Sequence, residues 1–319
     1  MMSATVSIAM RLGRGIAVAG LCCGTLSALA AQVQRLPRAR CTTFTLFASG
    51  FEEGETFVGN ASAGSGGSGG DSSRIIAVPG FASDPIYGNK TYYLHVPASY
   101  NSTVATPLVM VLHGAAGSPV GTLTQAQSMR SFWSAASNAN GFIVVAPTAS
   151  GGLGGWIAPA SPLDVPSDYD VMLAVVADVE ARYNIERQRR YLWGFSAGGH
   201  VTLDILLNHF STTLDGDFFA GFGVNAGVTA QLACSGLSGA ACNALFANLL
   251  PKTPVDVHHG SSDGTVPIAF AQADRTRFVS NGWSEGETYF WQPFSGGHTV
   301  LATHPAETWN HLCEFAMLP

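Results

Sequence analysis

Tyr191 to His200 reads YLWGFSAGGH, with the pattern Gly-x-Ser-x-Gly at its centre, from Gly194 to Gly198. The same pattern recurs around Ser68, Ser262 and Ser284 in a chain that holds 37 glycines, so its surroundings must choose among the four serines. Before Ser196 runs the continuous apolar segment RYLWGF (190–195), which has the composition of a buried strand. After it, Leu203, Leu206, Leu207 and Phe210 recur at helical spacing. A strand that turns directly into a helix at a serine between glycines predicts a nucleophile elbow. The serine takes a strained backbone there, and side chains at Gly194 and Gly198 would collide across the turn.

The other three serines lack that context. Ser68 sits in GNASAGSGGSGGDSS (59–73), the composition of a flexible Gly/Ser linker, and a free coil cannot hold a nucleophile against a base. Ser284 follows a helix-like stretch and precedes a strand, which is the wrong order. Ser262 follows the strand VDVHH (255–259), but nothing after it offers both a carboxylate and a histidine at a workable separation.

Outward from Ser196, strands and helices alternate from Arg74 onward. The strand segments are TYYLHV (91–96), PLVMVLH (107–113), FIVVAP (142–147), RYLWGF, FAGFGVN (219–225), VDVHH and YFWQPF (289–294). Alternation of this kind predicts one mostly parallel sheet with helices on both faces, a single α/β domain over 74–319. Ser167 with Asp170 forms a capping box, followed by Met172, Val175, Val176, Val179 and Tyr183 at helical spacing. A last helix is expected from near Pro305, burying Trp309, Leu312, Cys313 and Ala316.

The composition, 47% hydrophobic and 11% charged, supplies a large core. A net charge of −6 without a basic cluster argues against nucleic acid or an anionic membrane as partner. Residues 1–30 read as an export signal: Arg11 and Arg14, an apolar stretch from Ile16 to about Leu26, then Ala28-Leu29-Ala30. That stretch is short of the roughly 20 residues a membrane span requires. A secreted or periplasmic protein, free of the membrane after cleavage, is therefore expected. Residues 31–73 are expected to be a poorly ordered arm and the linker. Cys41, Cys234, Cys242 and Cys313 remain, and Cys234 and Cys242 flank so short a loop that they are expected to pair. Cys313, on the apolar face of the last helix, reads equally as a buried thiol, and its pairing with Cys41 stays open. No spacing resembles a zinc site, and no cofactor is called for.

A serine hydroxyl needs a base, and the base needs an orienting carboxylate. In sheets of this type the chain order is serine, acid, histidine, each on a loop after a strand. Asp263 in HHGSSDGTVP follows the strand 255–259, and His298 in FSGGHTV follows the last strand. Asp263 could also serve only to cap its Asp-Gly turn. One oxyanion donor is expected to be the amide of Ala197, after the nucleophile. The other should come from His113-Gly114-Ala115-Ala116-Gly117, from Ala115 or else Gly114. His113 itself reads as structural.

The segments YLHVPASYNSTVATPLVMVLHG, SDYDVMLAVVADVEARYNIERQRRYLWGFSAGG and HHGSSDGTVP resemble secreted α/β-hydrolase esterases of the polyhydroxybutyrate depolymerase and feruloyl esterase (carbohydrate esterase family 1-like) group. The resemblance covers about Thr91 to Leu318. It implies the α/β-hydrolase fold, Ser196, Asp263 and His298 as a triad, and an acyl-enzyme that water hydrolyses. Trp156 resembles the aromatic residue that this group places beside the acyl group, with a core tryptophan as the alternative. The chain departs from the group after the histidine, where Thr299-Val300-Leu301 replaces a frequent Trp-Pro. The resemblance implies an exported serine carboxylesterase for short-chain, aryl (feruloyl-type) or hydroxyalkanoate esters. The short arm, with no room for a polymer-binding domain, points to soluble oligomeric or small esters. A peptidase on the same fold and a non-catalytic binding module are the competing classes.

Overall fold

The computed structural model describes residues 33–35, 41, 61–160, 166–208 and 214–317. The export-signal reading of residues 1–30 and the helical position of Phe210 lie outside them. Among the described residues no helix is long and apolar enough to cross a membrane.

The elements run β1 (Val33–Arg35), β2 (Gly70–Ile76), β3 (Lys90–Val96), β4 (Thr106–Leu112), α1 (Pro119–Asn140), β5 (Ile143–Pro147), α2 (Asp168–Arg182), β6 (Ile185–Phe195), α3 (Ala197–Leu207), β7 (Gly221–Asn225), α4 (Gly239–Asn248), β8 (Val255–Gly260), α5 (Ile268–Ser280), β9 (Tyr289–Phe294), α6 (His304–Leu312) and β10 (Phe315–Met317). Eight strands form one sheet in the order β2-β3-β5-β4-β6-β7-β8-β9. β3 is antiparallel to both neighbours, and from β5 through β9 every pairing is parallel. This is the α/β-hydrolase fold, as the sequence predicts.

Strand side chains alternate between the two faces of a sheet, and both faces are covered. Leu108, Met110 and Leu112 of β4 join Leu192 of β6 in a core closed by Val175 and Val179 of α2, Leu206 of α3 and Phe278 of α5. Val109 and Val111 point the other way, with Tyr191 and Trp193, against Trp133 of α1 and Trp309 of α6. The continuous apolar run that marks β4 in the sequence is thus two half-cores read alternately.

The helix starts follow local chemistry. Ser118 caps α1 by accepting from the Gly121 amide, with proline in the first turn, and Gly141 ends the helix in the left-handed region at φ 73°. The capping box of Ser167 and Asp170 at α2 is present with both bonds.

The structure corrects the sequence in three places. The Gly/Ser stretch is no free linker where it is described: its end is β2, an edge strand paired along its length with β3. Asp71 in it bonds His95 at 2.6 Å and Arg130 at 2.9 Å. Gly64 passes so near Tyr183 that a Cβ would meet its backbone nitrogen at 2.5 Å, so one of these glycines serves packing instead of flexibility. The described part of the arm is likewise tied down: β1 pairs with β10, and Cys41 is bonded to Cys313. Finally, α6 ends at Leu312, and Ala316 belongs to β10. Cys234 pairs with Cys242 as expected.

Candidate active site

The three residues picked from the sequence lie on loops that leave the C-terminal ends of parallel strands, where open α/β sheets place their ligand sites. Ser196 follows β6 and is the N-cap of α3, with φ 53° and ψ −116°. A non-glycine residue rarely adopts such a conformation, which costs about 1–3 kcal/mol. It is held there: the Ser196 amide donates to Asn225 O at 2.9 Å, and the His200 amide donates to Ser196 O at 2.9 Å. A Cβ on Gly198 would lie 2.5 Å from Leu112 O, so the elbow needs glycine where it crosses β4.

Ser196 Oγ and His298 Nε2 are 2.8 Å apart, and His298 Nδ1 is 2.8 Å from Asp263 Oδ2. Asp263 Oδ1 meanwhile accepts from the amides of Thr265 at 2.9 Å and Val266 at 2.8 Å. The carboxylate is therefore fixed in orientation and acts as more than a turn cap. Burial raises its pKa, but the Val266 amide, His298 and the Thr265 amide outweigh that, and the net shift is downward. An ionised Asp263 keeps the proton of His298 on Nδ1, leaving the Nε2 lone pair toward the serine hydroxyl. The Phe195 ring lies against the imidazole at 5.0 Å between centroids, a contact the sequence did not announce. Among the described residues no histidine bonds the hydroxyl of Ser68, Ser262 or Ser284.

The loop after β4 stands beside the serine: a Cβ on Gly114 would lie 3.2 Å from Ser196 Cβ. The Ala116 amide is taken by Gly154 O at 3.0 Å. The amides of Ala115 and Ala197 have no acceptor among the described residues, as donors kept for a ligand would not. His113 is buried, donates from Nδ1 to Gly114 O at 2.6 Å and accepts the Ala149 amide at Nε2 at 3.3 Å. Both nitrogens are thereby used by a neutral ring, and burial lowers its pKa to about 4. Its structural reading from the sequence agrees with this. Trp156 donates its indole N–H to His113 O at 2.8 Å, and the two rings lie 4.8 Å apart. Trp156 is half-buried, packed partly on the core.

One histidine cluster could suggest a metal: His258, His304 and Glu307 bring ligand atoms within 4.8 Å of one another. His304 Nδ1, however, accepts the Leu301 amide at 3.2 Å, which leaves the ring proton on Nε2. A ring holding its proton there offers no lone pair to an ion. Asp256 takes His258 at 2.9 Å, His311 at 2.7 Å and Thr308 at 2.6 Å, so the cluster is a bonded polar joint between β8 and α6.

No family model matches the chain. It is 28% identical over 217 residues to a poly(3-hydroxyalkanoate) depolymerase C of Paucimonas lemoignei, covering 61% of this chain and 49% of that protein. The chain thus spans about half the length of that relative. Among solved structures, a CE1 ferulic acid esterase of Anaeromyces mucronatus matches with a TM-score of 0.52 at 16% identity, over 88% of this chain and 95% of that one. A dipeptidyl peptidase 4 of Porphyromonas gingivalis matches at 0.50 and 14% identity, over 77% of this chain and 35% of that one. The structural matches establish the fold, which esterases and a peptidase share.

Proposed function

We propose that this chain is a serine carboxylesterase that works through an acyl-enzyme. The observation that carries the reading is the bonded run Ser196 Oγ, His298, Asp263, with each member fixed from behind. His298 Nε2 takes the hydroxyl proton as Ser196 Oγ attacks the ester carbonyl. The tetrahedral oxyanion faces the free amides of Ala197 and Ala115, each such donor being worth roughly 3 kcal/mol in the transition state. The alcohol leaves with the proton from His298, and a water activated by the same nitrogen then releases the acid. The likeness to a poly(3-hydroxyalkanoate) depolymerase and the fold of a ferulic acid esterase support hydroxyalkanoate or aryl acyl groups, with short-chain esters as simple analogues. In this reading the half-exposed Trp156 ring lines the acyl side. Export is part of the proposal, supported by two disulfides, which persist in oxidising compartments.

The test is hydrolysis by the purified protein of short-chain, feruloyl and 3-hydroxyalkanoate esters, beside Ser196→Ala. Turnover that vanishes in the variant supports the reading. No turnover on any class rejects it in favour of a binding module, and equal turnover by the variant rejects Ser196 as the nucleophile.

A further inference from the structure

Asp168 is the first residue of α2 and is fully buried, far in sequence from the serine, the histidine and the oxyanion loop. Its carboxylate does not serve its own helix alone. Oδ2 accepts the Ile157 amide at 2.7 Å and the Ser150 amide at 3.1 Å, and Oδ1 accepts the Ser150 hydroxyl. One side chain thus joins both ends of the glycine-rich loop 150–157. The Asp168 amide adds a bond to Ile157 O at 2.8 Å. Within the loop, Gly151 and Gly155 bond across at 2.9 Å, closing it on itself.

The closed loop faces the oxyanion segment and bonds it twice. Gly154 O accepts the Ala116 amide at 3.0 Å, and Trp156 Nε1 donates to His113 O at 2.8 Å. These two bonds bracket Gly114 and Ala115. Gly154 fits only as glycine: its φ is +69°, and a Cβ would lie 2.6 Å from Ser118 O. The Ala149 amide, next to Ser150, bonds His113 Nε2 at 3.3 Å, a third link from the same side. The Ala115 amide itself has no partner among the described residues, so its direction depends on these neighbours.

We propose that Asp168 is the positioning residue of the oxyanion site, closing the loop 150–157 into a buttress that aims the Ala115 amide. The proposal rests on the esterase reading for its catalytic meaning, while the coupling between loop and oxyanion segment stands independently. Asparagine at 168 offers one uncharged oxygen to the Ile157 and Ser150 amides and turns its NH2 toward the Ser150 hydroxyl, so the bonds that close the loop lose their charged acceptor and weaken. The oxyanion is bound only in the transition state, so the loss falls on kcat and not on KM. Misplacing a donor by about 1 Å costs on the order of 100-fold, and a fall in kcat of roughly 10- to 100-fold is expected.

The experiment compares wild type, Asp168→Asn and Ser167→Ala, the last removing only the cap of α2. Amide hydrogen exchange is followed over 113–117 and 149–157, with kcat, KM and the affinity of an arylboronic acid, an analogue of the tetrahedral intermediate. Asp168→Asn should speed exchange in both segments, lower kcat at nearly constant KM and weaken boronate binding in proportion. Ser167→Ala should affect α2 alone. If Asp168→Asn does not fold, Trp156→Phe, which removes the N–H to His113 together with part of the indole ring, should speed exchange at 113–117 and lower kcat. Unchanged exchange at 113–117 in the folded variant overturns the proposal whatever the activity. So do kcat and boronate affinity within twofold of wild type in an active enzyme. A wild type without ester turnover rejects the esterase reading instead, and exchange still decides the coupling.

Discussion

The Cβ that Gly194 lacks would lie 2.2 Å from the carbonyl oxygen of Gly198. The obstacle is backbone, which cannot rotate away, and the same Cβ would lie 2.5 Å from Thr202 Oγ1. Gly194→Ala should therefore open the elbow, cost about 1–3 kcal/mol of stability as overpacking does, and remove turnover through displacement of Ser196. Thermal denaturation and ester hydrolysis check it. Wild-type values of both would mean that the turn relaxes without moving the serine.

Ser196→Ala and His298→Ala should each remove nearly all turnover, and the double variant should lose little more, because the residues act as a unit. Asp263→Asn should lower kcat by about 10⁴-fold, the cost seen when a triad histidine loses its orienting carboxylate. Ser262→Ala should stay near wild type, since among the described residues no histidine bonds its hydroxyl. If Ser262→Ala were as inactive as Ser196→Ala, the assignment of the nucleophile would fall.

The central strands were legible because burial on both faces leaves continuous apolar runs, and the bonded set Ser196, His298 and Asp263 because each member follows a strand run. β2 was not. Its glycines and serines carry no burial signal, and its bonds come from the exposed edge of β3. The end of α6 misled for a different reason. Trp309, Leu312, Cys313 and Ala316 keep helical phase, but the chain turns at Cys313 to pair Phe315–Met317 with Val33–Arg35. Asp168 was not legible in the sequence, because its partners include the backbone amides at 150 and 157, which no side-chain type reveals.

Stability should fall as the solution is acidified below neutrality. Burial lowers the pKa of His113 and of His304 to about 4 from 6.5, and in His304 the neighbouring His258 adds to the effect. Between those values the unfolded chain binds the protons and the folded one does not, so folding weakens as pH drops from 6.5 to about 4. Each group contributes a slope of up to about 1.4 kcal/mol per pH unit within that window. Urea denaturation at several pH values measures it. A flat stability between pH 4 and 6.5 would mean that these rings are protonated in the folded state.

The two disulfides should differ in weight. Cys41 and Cys313 are 272 residues apart in sequence, Cys234 and Cys242 only 8. In the chain-entropy model the long closure contributes roughly 5.6 kcal/mol and the short one roughly 2.5 kcal/mol. Cys41→Ala should lower Tm more than Cys234→Ala does. Peptide mapping without reduction should find both bonds, and free thiols at all four positions in exported protein would refute the pairing.

The proposed enzyme should cleave esters and spare amides. An ester's alkoxide or phenolate leaves readily once Ser196 has attacked, whereas an amine must receive a proton from His298 as it departs. That transfer demands a well-defined site on the leaving-group side of His298. There the chain offers Thr299 and Leu301, both exposed, and half-buried Val300, with no bulky aromatic between His298 and α6. Among the described residues the only side-chain bond of Thr299 is a long one of 3.4 Å to Val300 O, too weak to hold a leaving group in one pose. Ester and amide substrates with one shared acyl group should differ in kcat/KM by several orders of magnitude. Comparable rates would move the chain to the peptidases that share its fold, and introducing tryptophan at Thr299 would then be expected to change amide turnover more than ester turnover.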